Sequence, residues 1–250
     1  MHARSVFTAT ILLAVPLLAQ EPLPVASPRI ISAPGSYQLV SDIDFDATRE
    51  FALSITASGV TLDLNGHQIK GPGGRQGIGI RVSGATGVRI RNGRIADTAF
   101  GLVIDNSHNV TITGLEIRGQ GLAVPAHPPE TAIMIVQSRS VVFEGNNVYN
   151  TPLGVFVRGS RSWGNRISGN TITSTNGAIG ICYNPAPGDP NGPRGDLISD
   201  NLVAGFGVSV QMTNSASNVI RQNTLLFRTS SVEMNGAMDT DMENVKVQMR

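Results

Sequence analysis

Seven of the side chains between residues 118 and 196 stand out as candidates for chemistry. Arg118, His127 and Glu130 fall in a Gly- and Pro-rich run at 118–131, Asp189, Arg194 and Asp196 in or beside a second run at 183–195, and Arg158 between the two. A histidine or carboxylate can accept a proton, so His127 or Glu130 could serve as a base. An arginine can stabilise a developing enolate or hold a carboxylate, the role for which Arg158 is the candidate. The competing reading is that the Pro-rich runs fold over apolar surface and hide it. No metal site is expected: four scattered His and one Cys show no zinc or copper spacing. Gly71-Pro72-Gly73-Gly74 opens no helix and so offers no phosphate cradle. The lone thiol, Cys182, reads as a small buried residue, with a catalytic thiol as the alternative.

These residues must be positioned by a repeat. Val60-Thr61-Leu62-Asp63-Leu64-Asn65-Gly66-His67-Gln68-Ile69, Val88-Arg89-Ile90-Arg91-Asn92-Gly93-Arg94-Ile95 and Val110-Thr111-Ile112-Thr113-Gly114-Leu115-Glu116-Ile117 share alternating apolar positions, a polar corner and a closing aliphatic. Later units close at Val148, Ile172, Val203, Leu225 and Val247, so the closings recur every 22 to 31 residues. A period near 22 with insertions predicts one coil of a solenoid per repeat, with the extra residues in loops. The period-two alternation makes each segment a strand with one face inward. Asn146, Asn170, Asn201 and Asn223 each stand two residues before a closing aliphatic. That predicts a ladder of stacked Asn at one corner, and Asn or Gly93 there would supply a left-handed backbone.

The Val60–Ile69 run and the Asn-x-aliphatic closings resemble the right-handed parallel β-helix repeats of the pectate-lyase-like superfamily, including its NosD-like subgroup, over roughly residues 50–247. The resemblance implies an all-β, single-stranded right-handed parallel β-helix of about eight coils with three strands per coil. Counting back from the second strands then turns Val82, Ile104, Ile135 and Met212 inward. Arg81, Val103, Met134, Phe156 and Gln211 turn outward, with Gly180 or Cys182 in the inserted coil. In this superfamily such an outward stripe holds a sugar chain. The resemblance therefore implies a polysaccharide or glycan as partner, His127, Glu130 and Arg158 as catalytic candidates, and Arg118, Met134, Phe156, Asp189, Arg194 and Asp196 as substrate-binding candidates. Acidic-sugar lyases carry calcium-binding carboxylates on this stripe. No cofactor is evident here beyond the room this leaves for calcium, and the centre of the stripe, Val103, Met134 and Phe156, departs from that pattern. The activities open are a polysaccharide lyase or glycoside hydrolase, a non-catalytic adhesive or structural binding module, and a periplasmic accessory protein binding a metal or a partner protein.

The bulk numbers narrow the setting. With 19 Lys+Arg against 18 Asp+Glu and only 15% charged residues, the electrostatic footprint of a nucleic-acid binder is missing, so nucleic acid is not an expected partner. Aromatics at 5% beside 28 Gly suit tight turns between aliphatic strands rather than helices packed on rings. Met1-His2-Ala3-Arg4, an apolar run from Val6 to Leu18 and a small residue before Gln20 describe a signal peptide over 1–19. A 20–36 linker and a 37–250 helix domain would follow, secreted or periplasmic, with no membrane span after cleavage. One cysteine permits no internal disulfide, which leaves stability to the packed core.

Overall fold

The computed structural model describes residues 21–74, 76–120 and 130–249, so the expected signal peptide lies outside the described residues. All 23 strands join one parallel sheet wound into a right-handed solenoid of about nine turns, with no helix among the described residues. Three faces alternate along the chain. The first stacks Arg29–Ile31, Phe51–Ile55, Ile78–Ser83, Phe100–Asp105, Thr131–Val136 and Leu153–Arg158, and continues through 179–184, 208–213 and 230–235 of the longer strands.

Alternation decides what is inside. On the first face Val82, Ile104, Ile135, Val157, Tyr183 and Met212 pair in register and are buried. Leu62, Ile90, Ile112, Phe143, Ile167, Ile198 and Ile220 do the same on the second face. The closings Ile69, Ile95, Ile117, Val148, Ile172, Val203 and Leu225 line the third. No strand could bury its apolar face alone, and stacking buries them as one continuous core.

The asparagine ladder runs as expected and one rung further, through Asn146, Asn170, Asn201, Asn223 and Asn244. Each Oδ1 accepts from the backbone N–H one coil earlier at 2.8–3.0 Å, and each Nδ2 donates to a carbonyl of an earlier coil. The left-handed residue, however, is the one before each rung: Gly145, Gly169, Asp200, Gln222 and Glu243 have positive φ. Ladder asparagines are held for their amides, and the turn is made by their neighbours. Likewise Asn92, not Gly93, is left-handed. Gly93 is required for space instead, because a Cβ there would lie 2.3 Å from Leu64 Cβ and 2.8 Å from the His67 carbonyl oxygen. Gly93→Ala should therefore cost about 2 kcal/mol by overpacking, read as a lower midpoint of urea unfolding.

Both ends differ from expectation. The 20–36 stretch is no linker: Leu23–Val25 pairs with 37–39 and Arg29–Ile31 with 53–55, adding a coil whose Val25 and Ile31 are buried. At the other end Leu225 pairs with Lys246 rather than Val247, so the last closing is one residue early. A lysine thus takes the place of an aliphatic in this column and is ion-paired with Asp241.

Candidate functional site: a groove on the first face

Register places one outward column along the first face: Ser54, Arg81, Val103, Met134, Phe156, Cys182, Gln211 and Glu233. This is the predicted stripe, with Cys182 rather than Gly180 in the inserted coil. Cys182 is buried, and burial pushes its thiol up to about 12, far from a nucleophile at neutral pH. Over the coils of Arg81, Val103 and Met134 the column floors a groove of about 350 Å³. Arg81, Val103 and Met134 form its base, Ile78 and Phe100 lie on one side, Asp105, Val136 and Arg158 on the other, and Ala186 and Pro187 reach in from the second insertion.

Its polar groups are few and held. Arg81 Nη1 donates to Glu50 Oε1 at 3.1 Å, while its Nε is buried without a hydrogen bond. The Arg158 guanidinium sits 5.9 Å from the Phe156 ring centroid, and its Nε donates to the Pro185 carbonyl at 3.4 Å. Ring and carbonyl hold the guanidinium against the groove wall, leaving its terminal nitrogens available.

The other expected site residues scatter. Arg118 ends Thr111–Arg118 on the third face, 3.5 Å from Asp97 Oδ1, and does not line the groove. Glu130 is only 1% exposed; its Oε1 accepts from the Gln120 backbone, and the Gln120 side chain in turn accepts from Gly74 N–H. It ties down the base of an insertion instead of meeting solvent. His127 lies outside the described residues. Asp189 accepts from the Ser160 hydroxyl and backbone and from Asn191 N–H. The Ser160 hydroxyl holds this carboxyl below its ordinary range, and the pair anchors the second insertion. Arg194 stands exposed at the corner between the first and second faces.

Asp196 is 2% exposed and belongs to a second polar ladder. There Asn165 N–H donates to Asp196 at 2.8 Å, Asp196 N–H to Asn218 at 2.9 Å and Asn218 N–H to Asp239 at 2.9 Å. Ser107, Ser138 and Ser162 form a parallel series beside it. Sequence reasoning missed both, although their separations of 31, 24, 31 and 22 residues are those of the coils themselves. Glu50 and Asp105 were missed because no carboxylate recurs at their places from coil to coil: Asp105 pairs with Ser83 and Val136.

The fold is a right-handed parallel β-helix, and its first face carries an outward groove. Residues 55–240 match the family described as "Periplasmic copper-binding protein (NosD)", and the chain belongs to that family. Comparison with curated proteins gives no match. Among solved structures, the alginate lyase from Paenibacillus sp. str. FPU-7 is similar at TM-score 0.60 and 14% identity, covering 86% of this chain and 89% of that one. The Dettilon tailspike protein gives 0.59 and 14%, covering 90% and 54%, and a Thermotoga maritima exopolygalacturonase 0.58 and 13%, covering 85% and 54%. The chain therefore spans about half the length of the last two. At such identities these likenesses speak to fold.

The His, Cys, Asp and Glu side chains of the described residues form no cluster that fits a copper ion. No three of them converge, His67 pairs with Asp42, and His108 bonds Thr86. Among the described residues no helix is long and apolar enough to cross a membrane.

Proposed function

We propose that the protein binds a carbohydrate chain in the first-face groove, with Arg81 and Arg158 meeting its acidic groups. The observation that carries this is the groove itself: an apolar floor of Val103 and Met134 between two arginines whose strands stand three rungs apart. At about 4.8 Å per rung that separation is about 14 Å, enough for a short run of sugar rings lying along the solenoid axis. An apolar floor with a few convergent polar groups suits the C–H faces and hydroxyls of sugars. Two of the similar structures, an alginate lyase and an exopolygalacturonase, act by name on uronate polymers, whose carboxylates the arginines would match. A site of this make-up orients a chain. Eliminating a uronate would further need a base, the part for which His127 is the candidate, and calcium is a candidate for neutralising the carboxylate.

The test is a calorimetric titration with alginate, polygalacturonate and neutral dextran, with and without calcium. Arg158→Ala is expected to weaken the acidic polymers about tenfold, the worth of one charge-assisted contact. Absence of binding by every polymer would sink the reading. Following the ultraviolet absorbance of an unsaturated product in the same samples assigns the class. Growth that is lost in His127→Ala makes the protein a lyase, and binding without growth makes it a non-catalytic module.

A further inference from the structure

The corner between the first and second faces carries a row that the groove does not use. Thr86, His108, Arg139, Trp163, Arg194 and Ala216 follow one another through parallel bridges, one per coil. Their side chains therefore stand in line along the axis, about 4.8 Å apart. Trp163 is 44% exposed, and Arg139 and Arg194 on either side of it are exposed too. The Arg139 guanidinium lies over the indole at 5.7 Å. None of the ion pairs among the described residues includes Arg139 or Arg194. What sets these two apart is their place: both guanidiniums face water in one row on either side of a large exposed ring.

We infer that this ridge is a second binding site, for an extended acidic polysaccharide. Charge complementarity supplies the anion: each guanidinium presents a fork of donors to a carboxylate, and the indole holds that of Arg139 in place. Spacing supplies the geometry, because Arg139 and Arg194 are two rungs, about 10 Å, apart. That is comparable to the distance between every second ring of an extended 1,4-linked chain, so alternate uronates meet the two arginines while the intervening ring covers the exposed edge of Trp163. A nucleic acid is the poorer fit, since two arginines in a nearly neutral chain give little of the charge density its phosphates require. The site stands apart from the groove. Ala186 and Pro187 of the second insertion line the groove, and the insertion is then tied down through Asp189 to Ser160 before the chain reaches Arg194.

Trp163 is the only tryptophan, so its emission reports this ridge. Titration of the whole protein with polygalacturonate or alginate is expected to change that emission saturably, less so as sodium chloride is raised, while dextran leaves it unchanged. In the Arg139→Ala/Arg194→Ala variant the apparent affinity should fall about tenfold or more, with Arg139→Lys/Arg194→Lys intermediate. Unchanged far-ultraviolet dichroism checks that the variants fold. Arg158→Ala should keep the emission response while losing affinity in calorimetry, which separates failure of the ridge from failure of the groove. The inference is overturned if acidic polymers bind without changing the emission. It is equally overturned if the double variant or Arg158→Ala reverses these expectations, or if a single-stranded oligonucleotide produces the same response at equal ionic strength.

Discussion

Replacing Asn201 by Ala is expected to destabilise the protein by about 4 kcal/mol, the largest effect of any single substitution considered, because four buried hydrogen bonds go at once. Asn201 Oδ1 accepts from Asn170 N–H at 3.0 Å and from Asn170 Nδ2 at 2.9 Å. Its own Nδ2 donates to the Ile167 carbonyl and to Asn223 Oδ1, each at 2.9 Å. Asn201 is 2% exposed and Asn170 1%, so no water replaces the lost amide. The Asn170 N–H is left buried without its partner, at about 1–3 kcal/mol, and the other three bonds are lost with it. The midpoint of urea unfolding measures it. Asn147→Ala is the control, since Asn147 is exposed beside the ladder and should change stability by less than about 0.5 kcal/mol. If the two variants unfold alike, the ladder is decoration on a fold held by aliphatic stacking alone.

That ladder is also the clearest case of structure written in sequence. Asn146, Asn170, Asn201 and Asn223 sit at coil spacing because each amide both accepts from and donates to the coil before it, and a chemical identity repeated at coil spacing can be read without a structure. The inward and outward columns of the first face were legible for a related reason. Once Val82, Ile104, Ile135 and Met212 are aligned, period-two alternation fixes Arg81, Val103, Met134 and Phe156 on the other side. What stayed hidden lacks a repeated identity. The first coil is built from Leu23–Val25 and Arg29–Ile31, three-residue strands without a closing Asn. Groove residues Glu50 and Asp105 are single occurrences whose meeting depends on how neighbouring coils are stacked. Glu130 and Asp196 looked reactive because their types are, yet burial at 1% and 2% turns both into struts. A carboxylate's chemistry depends on its solvent, and composition does not record solvent.

Asp196 makes this measurable. It occupies a rung where neighbouring coils place Asn165 and Asn218, and burial pushes its carboxyl from about 3.8 up to about 6, against the pull of the Asn165 amide and backbone and of Tyr183. Ionised, it has no proton to offer Asn218, whereas Asn165 Nδ2 donates to Asp196 at 3.1 Å. The Tyr183 phenol beside it, buried without a hydrogen bond of good geometry, is held protonated, its pKa pushed well above the ordinary range by burial and then by the Asp196 charge. Because the folded carboxyl binds its proton more tightly than the unfolded one, folding takes up a proton between pH 3.8 and about 6. Stability is therefore highest at the acid end of that window and falls as pH rises through it, by roughly 3 kcal/mol for a separation of this size. Asp42, Asp46 and Asp189 have lowered values; their contribution is present above the ordinary carboxylate pKa and is lost only at pH below this window. Asp196→Asn restores an amide to the rung. The variant is expected to unfold at the same urea concentration at pH 4.5 and pH 7, and at pH 7 to exceed the parent by roughly 3 kcal/mol. A parent whose stability rises across this window would mean that Asp196 is ionised at no cost, and that the second ladder tolerates a buried charge as readily as an amide.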